Sequence, residues 1–138
     1  MFSGEYSHVI DAKKRIFIPA QFREELGQRF YFCKSMPGNT CVLVYSESGY
    51  ADRVNAVKQG TSVHFQRFIN EGAQLVESDK SGRVTIPQKL FEYAELNKNI
   101  IIFGMTDHIE LWDRDKLTAE YEMGKNEEIS PELREYLY

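Results

Sequence analysis

The sequence predicts a mainly β protein with short helices, an α+β fold in which one small module occurs twice in tandem. Three observations carry this reading. The segment His8–Leu26 aligns on Val76–Ala94 at a constant offset of 68, and repeats at fixed period define architecture before any single element does. Each copy holds short runs of alternating apolar residues, the mark of half-buried strands. No Gly-, Ser- or Pro-rich linker lies between the copies. Each half of the 138 residues is also of a size at which a single core is marginal, so the halves are expected to fold as one unit.

The elements follow in order. A first strand leads to a tight polar loop, Asp11–Arg15, and a second strand places Ile16 and Ile18 on one face. Pro19 then introduces a short helix, since its missing N–H costs nothing in a first turn. Phe22 and Leu26 lie at i,i+4 on that helix, and Gly27 suits its end. Strands at Phe30–Cys33 and Cys41–Tyr45 close the first copy. Two connecting helices are predicted, one near Glu47–Lys58 with Tyr50, Val54 and Val57 on one face, and one near Ser62–Glu71 carrying Phe65, Phe68 and Ile69 and stopping at Gly72. The second copy repeats the pattern. Its loop is Asp79–Arg83, followed by Val84 and Ile86 facing inward, Pro87, a helix with Leu90 and Ala94, and strands at Ile100–Phe103 and His108–Trp112. A helix near Arg114–Met123 with Leu117 and Tyr121 comes next, and a last one begins at Ser130-Pro131 with Leu133 and Leu137 together. The resulting division is 5–47 and 76–119 for the two modules, 48–75 for a helical connection and 120–138 for a helical tail. Between the inward aliphatics the outward residue is Thr85 in the second copy but Phe17 in the first. Phe17 is expected either to meet another surface or to pack under a helix.

Composition narrows the function. The opening residues show neither the basic nor the apolar region of a signal peptide, and Ile100–Phe103, the most apolar run, is far too short to span a bilayer. Cys33 and Cys41 fall in strands without metal-ligand spacing and read as reduced core residues of a cytosolic protein. The net charge of −4 is carried entirely by residues 113–138, which hold eight acidic and four basic side chains. The remaining body is neutral, so any binding to nucleic acid must come from a local basic patch.

That patch is the pair of loops. Asp11-Ala-Lys-Lys-Arg15 carries a net charge of +2 and Asp79-Lys-Ser-Gly-Arg83 a net charge of +1. Arginine presents a planar fork that fits guanine O6/N7 or a phosphate bidentately. Lysine supplies point charge to phosphates, which sets affinity and register. The candidate DNA-binding residues are Lys13, Lys14, Arg15, Lys80 and Arg83. Asp11 and Asp79 face repulsion from phosphate, and their short side chains bond the backbone two residues on, so they read as loop-shaping, together with Gly82. An ion pair that merely closes a turn is the plainer reading of one such loop. Its recurrence before the same strand-Pro-helix, with lysine added in both copies, favours a shared binding role.

The tandem Asp-x-x-x-Arg loops, each followed by aliphatic-x-Ile-Pro and a short helix, resemble the MraZ family across nearly the whole chain, from Gly4-Glu-Tyr to Ile109-Glu-Leu-Trp112. The resemblance implies a double SpoVT-AbrB fold, a tandem pseudo-twofold AbrB-like swapped-hairpin β-barrel in which each half imitates one subunit of a dimer. It implies a ring-shaped homo-oligomer in the bacterial cytoplasm or nucleoid, binding repeated promoter elements in double-stranded DNA and controlling its own division and cell-wall operon. Arg15 and Arg83 occupy the family's DNA-facing positions, and Asp11 and Asp79 its loop-shaping ones. The first loop departs from the pattern, with Lys14 where Gly82 stands in the second. If that position needs a positive φ, lysine bears a steric cost there that glycine does not.

An enzyme is not expected. His8, His64 and His108 are scattered without ligand spacing, and neither a nucleophile elbow nor a phosphate loop is present. Asp11 and Asp79 could meet as a carboxylate pair across the pseudo-twofold, but each has an arginine in its own loop. No cofactor, metal, membrane or small-molecule substrate is expected as a partner. The alternative to a DNA-binding regulator is an AbrB-like protein-interaction module of antitoxin type. In that reading the Asp–Arg turns are structural, and Leu133 and Leu137 on the acidic terminal helix dock a partner instead of packing on the chain's own fold or on a neighbouring subunit.

Overall fold

A computed structural model of the chain describes residues 1–38, 40–124 and 127–137. Lys125, counted above in the acidic segment, and Tyr138 of the tail lie outside the described residues. The first half comprises β1 (Glu5–Val9), β2 (Arg15–Phe17), α1 (Ala20–Leu26), β3 (Arg29–Lys34) and β4 (Val42–Ser46). The connection holds α2 (Glu47–Gly60) and α3 (Val63–Asn70). The second half comprises β5 (Gln74–Glu77), β6 (Arg83–Thr85), α4 (Gln88–Tyr93), β7 (Asn99–Gly104) and β8 (Ile109–Asp113), and α5 (Arg114–Gly124) and α6 (Pro131–Leu137) follow.

Local chemistry sets the helix boundaries. Pro19 and Pro87 each stand one residue before the first helical residue, and their carbonyls accept the amides of Phe22 and Leu90 at 2.9 and 3.0 Å. Gly27 ends α1 at φ 84°, its amide returning to the Arg23 carbonyl, a conformation that glycine adopts without steric cost. Ser46 and Ser62 cap α2 and α3, their hydroxyls accepting from the amides of Gly49 and Phe65, which satisfies donors that a helix start leaves orphaned.

The α+β class read from the sequence is the observed one, and the halves are interleaved. Six antiparallel strands run in the order β1-β7-β8-β4-β3-β5, with β1 and β5 at the edges, while β2 and β6 form a separate two-stranded ribbon. Strands are exchanged: β1 of the first half pairs with β7 of the second, and β5 of the second pairs with β3 of the first. The remaining contacts are self-complementary. In the ribbon Arg15 faces Thr85, Phe17 faces Arg83, and Ile16 faces Val84 between them. In the sheet Val42 faces Leu111 and Val44 faces Ile109, around a central Leu43–Glu110 pair. Interchanging the halves maps each set onto itself, so a pseudo-twofold axis passes through both centres.

Alternation along the strands builds two cores. On one face of the sheet Val42, Val44, Ile100, Ile102, Ile109 and Leu111 meet Ile16 and Val84 from the ribbon and Phe22, Leu26 and Leu90 from α1 and α4. On the other face Leu43, Tyr45, Ile101 and Trp112 pack with Cys33, Cys41 and Leu117. The two cysteines are unpaired and fully buried. Burial pushes the Cys33 thiol up to about 11, and the Cys41 thiol is raised for the same reason. Trp112 anchors its indole N–H on Glu110 Oε1 at 2.8 Å.

Two surface features differ from the plainer expectations. Phe17 does not pack under a helix; it is 45% exposed, and its ring stands roughly perpendicular to that of His8 with the centroids 6.1 Å apart. Helix α6 does not pack on the chain's own core. None of its described residues is buried, and Leu133 and Leu137 are 56% and 61% exposed.

Candidate nucleic-acid interface

The two Asp-x-x-x-Arg loops have the same internal structure. Asp11 Oδ1 accepts the amides of Lys13 at 2.9 Å and Arg15 at 2.8 Å, while Oδ2 accepts Arg15 Nε at 2.8 Å. Asp79 repeats this with the amides of Ser81 and Arg83 and with Arg83 Nε, each at 2.9 Å. The backbone closes in parallel, with Lys14 N–H on Asp11 O and Gly82 N–H on Asp79 O. Amide donors, led by that of the following arginine, hold both carboxyls below their ordinary value, because bonds to the charged form favour it. Each carboxylate is thereby occupied within its own loop, and no bond joins Asp11 to Asp79 among the described residues.

Both loops pass through the left-handed region at the same place, at φ 59° for Lys14 and φ 84° for Gly82. The first loop therefore keeps the shape of the second, with lysine bearing the steric cost. The residues at this point also tie the halves together: Lys14 O accepts Ile86 N–H at 2.9 Å, and Gly82 O accepts Ile18 N–H at 3.3 Å.

The ribbon carries both arginines on one face. Ile16 and Val84 point into the core, and strand side chains alternate, so Arg15, Phe17, Arg83 and Thr85 all lie on the outward side. Arg15 and Arg83 sit diagonally across the pseudo-twofold, a spacing of roughly 7–8 Å between such positions. Their side chains are 29% and 35% exposed. Each is braced through Nε, and among the described residues no hydrogen bond occupies either pair of terminal Nη groups. A braced guanidinium loses little freedom when those Nη groups engage a phosphate or a base edge.

Of the candidate lysines, Lys13 and Lys80 are exposed beside their arginines. Lys14 is placed differently: it bonds Gln88 Oε1 and lies over the Phe91 ring, 4.9 Å from the centroid. Two residues outside the sequence-based set join the neighbourhood. His8 accepts the Phe17 amide through Nε2 at 3.3 Å and is held low chiefly by burial, against the pull of Asp11. Arg23 lies over Gly82, with its guanidinium carbon 2.7 Å from where a Cβ would stand. No signal within either copy marks Arg23, since Phe91 occupies the equivalent position in the second and the strand exchange that brings Arg23 to the other half's loop is not written in either copy alone.

The remaining titratable groups form no catalytic arrangement among the described residues. His108 stacks on Tyr45 and bonds Asp107 Oδ1 at 2.6 Å. Burial opposes its protonation, but bonds to Glu110 and Asp107 outweigh this and raise its pKa. No group of His, Cys, Asp and Glu suited to a metal occurs among the described residues, and no helix there is long and apolar enough to cross a membrane.

Comparison with known proteins identifies the family of the chain. A family model described as "MraZ protein, putative antitoxin-like" matches residues 1–67 and again 69–131. The chain is 42% identical to the transcriptional regulator MraZ of Clostridium acetobutylicum over 121 residues, covering 84% of each chain. It is 40% identical to that of Acetivibrio thermocellus and 38% identical to that of Moorella thermoacetica, covering 84% of this chain and 83% of each relative.

Proposed function

The chain belongs to the MraZ family, and on that premise we propose that it regulates transcription by gripping double-stranded DNA with its paired Asp-x-x-x-Arg loops. One observation carries the reading. Arg15 and Arg83 share the outward face of the ribbon about a pseudo-twofold axis, each braced by its aspartate through Nε. Duplex DNA has its own local twofold symmetry, and such a pair can address it from both sides. Lys13, Lys14 and Lys80 add phosphate contacts from the loops of the modules at 5–47 and 76–119, while Asp11, Asp79 and Gly82 hold the loops in shape.

A single chain offers about five cationic contacts, too few for tight specific binding at physiological salt. The reading therefore includes a ring-shaped homo-oligomer that engages evenly spaced promoter repeats, since linked weak contacts gain affinity through effective concentration. Its place of action is the bacterial cytoplasm and nucleoid, and its target is the DNA upstream of its own operon of division and cell-wall genes. Native mass spectrometry combined with binding to duplexes from that region bearing one, two or four repeats tests this. Affinity that climbs steeply with repeat number supports the reading, and equal affinity for all three and for scrambled duplex overturns it.

A second reading has one observation in its favour. Helix α6 exposes Leu133, Tyr136 and Leu137 on an acidic tail, as a segment that docks a protein partner in the antitoxin manner would. Deleting residues 124–138 separates the two: unchanged DNA binding and oligomer size leave the tail free for such a partner, and loss of either ties it to the regulator itself.

A further inference from the structure

We propose that Arg23 is a further DNA-phosphate contact, taking at the second loop the place that Lys14 takes at the first. This inference rests on the DNA-binding reading above. At the offset of 68, Lys14 corresponds to Gly82 and Arg23 to Phe91. Because the halves exchange strands, the helix of each half covers the loop of the other. Phe91 on α4 lies under Lys14, with Nζ 4.9 Å from the ring centroid. Arg23 on α1 lies over Gly82, its guanidinium atoms 2.7–3.0 Å from the position a Cβ would take.

The two positions have thus traded roles. Where the loop supplies a lysine, the facing helix supplies an aromatic surface for it. Where the loop supplies a glycine, the facing helix supplies an arginine that fills the space. Either way, one cation stands at the left-handed position of each loop, Lys14 itself at the first and Arg23 over Gly82 at the second. Counted this way the loops become equal, with Lys13, Lys14 and Arg15 at the first and Lys80, Arg83 and Arg23 at the second. The net charge of the second loop rises from +1 to the +2 of the first.

The surroundings match as well. A cavity of about 310 Å³ beside the second loop is lined by Arg23, Gln28 and Lys80, and one of about 650 Å³ beside the first by Lys14, Asn97 and Lys98. The rims are closed by equivalent bonds, Ser78 N–H to Gln28 O at 3.0 Å and Ile10 N–H to Lys98 O at 2.9 Å. Arg23 is exposed, and its Nε donates to Ile18 O at 2.8 Å. That anchor fixes the guanidinium at the loop, as the aspartates do for Arg15 and Arg83.

The test uses the full chain and duplex DNA from upstream of its own gene, with fluorescence anisotropy across a salt series and a melting curve and oligomer size for every variant. Arg23→Gln keeps a donor for Ile18 O but loses the charge. It is expected to weaken binding about five- to tenfold and to lower the salt slope by about one per engaged chain, with melting unchanged. Arg23→Lys is expected to bind within about twofold of wild type. Combining Arg23→Phe with Gly82→Lys rebuilds the first loop's arrangement at the second and is expected to bind more tightly than Arg23→Phe alone. Wild-type affinity and salt slope in Arg23→Gln overturn the proposal, as does equal weakening in Arg23→Gln and Arg23→Lys with a lowered melting point, which marks a structural role. Arg15→Ala/Arg83→Ala is the control: if it binds like wild type, the DNA reading and this inference fall together, and if it loses binding while Arg23→Gln does not, only this inference falls.

Discussion

Ile16 and Val84 face each other across the ribbon at the centre of the pseudo-twofold, 1% and 4% exposed. Each belongs to a different half, yet both close the same core, so neither half has a core of its own to keep. Ile16→Ala is expected to destabilise the whole chain by about 2–5 kcal/mol in one cooperative transition. Chemical denaturation at fixed protein concentration, read by both Trp112 fluorescence and circular dichroism, checks this. Two separated transitions would show that the halves fold independently.

The aspartates make the loops insensitive to pH across the neutral range. Asp11 and Asp79 have their carboxyls lowered by the amides and guanidinium of the following arginines. A depressed value in the folded state means that the stabilisation is fully present above the unfolded value of about 3.8 and is lost as pH falls through the folded one. NMR titration of the two carboxyl carbons is expected to give midpoints below the ordinary range, with no change in the Ser81 amide shift of the second loop, which His8 does not touch, between about pH 5 and 8. Asp11→Asn retains an acceptor for the amides of Lys13 and Arg15 and is expected to keep the turn, whereas Asp11→Ala loosens it. Carboxyls that titrate at ordinary values would contradict the bracing.

Lys14 is the position at which loop stability and the proposed DNA contact can be separated. Replacing it with glycine relieves a left-handed lysine worth about 1–2 kcal/mol. Against that, glycine raises unfolded-chain entropy by about 0.4–1 kcal/mol, and the contact with Phe91 is worth about 0.5–1 kcal/mol. These terms nearly cancel, so Lys14→Gly is expected to leave stability within about 1 kcal/mol of wild type while weakening DNA binding severalfold. A large drop in stability with unchanged binding would place Lys14 in the scaffold alone.

Much of this arrangement is legible in the residues, and the reasons for the remainder are physical. Both loops, their arginines and the inward pairs Ile16/Ile18 and Val84/Ile86 follow from the offset of 68 and from alternation. The helices at Glu47–Gly60 and Val63–Asn70 lie within about two residues of expectation, because Ser46 and Ser62 cap them. Arg23 escapes a reading made copy by copy, since it lies over the loop of the other half and strand exchange is a property of the pair. The open face of Phe17 and the exposure of α6 escape for a related reason. An apolar residue in a sequence signals burial against something, but not what, and among the described residues nothing in this chain covers them.

In the proposed mode of binding, Arg15 and Arg83 are the points at which this chain holds DNA. Anisotropy of labelled duplex from upstream of its own gene, titrated with wild type, Arg15→Ala, Arg83→Ala and the double variant at several salt concentrations, tests it most directly once each variant is shown to keep its oligomeric state. Wild type is expected to bind tightly with a steep salt dependence. Each single variant should lose about 1–3 kcal/mol of binding free energy, and the double variant should not discriminate this duplex from random sequence. Equal binding by wild type and the double variant would rule out a DNA-holding role for the two arginines and leave both loops as structural turns.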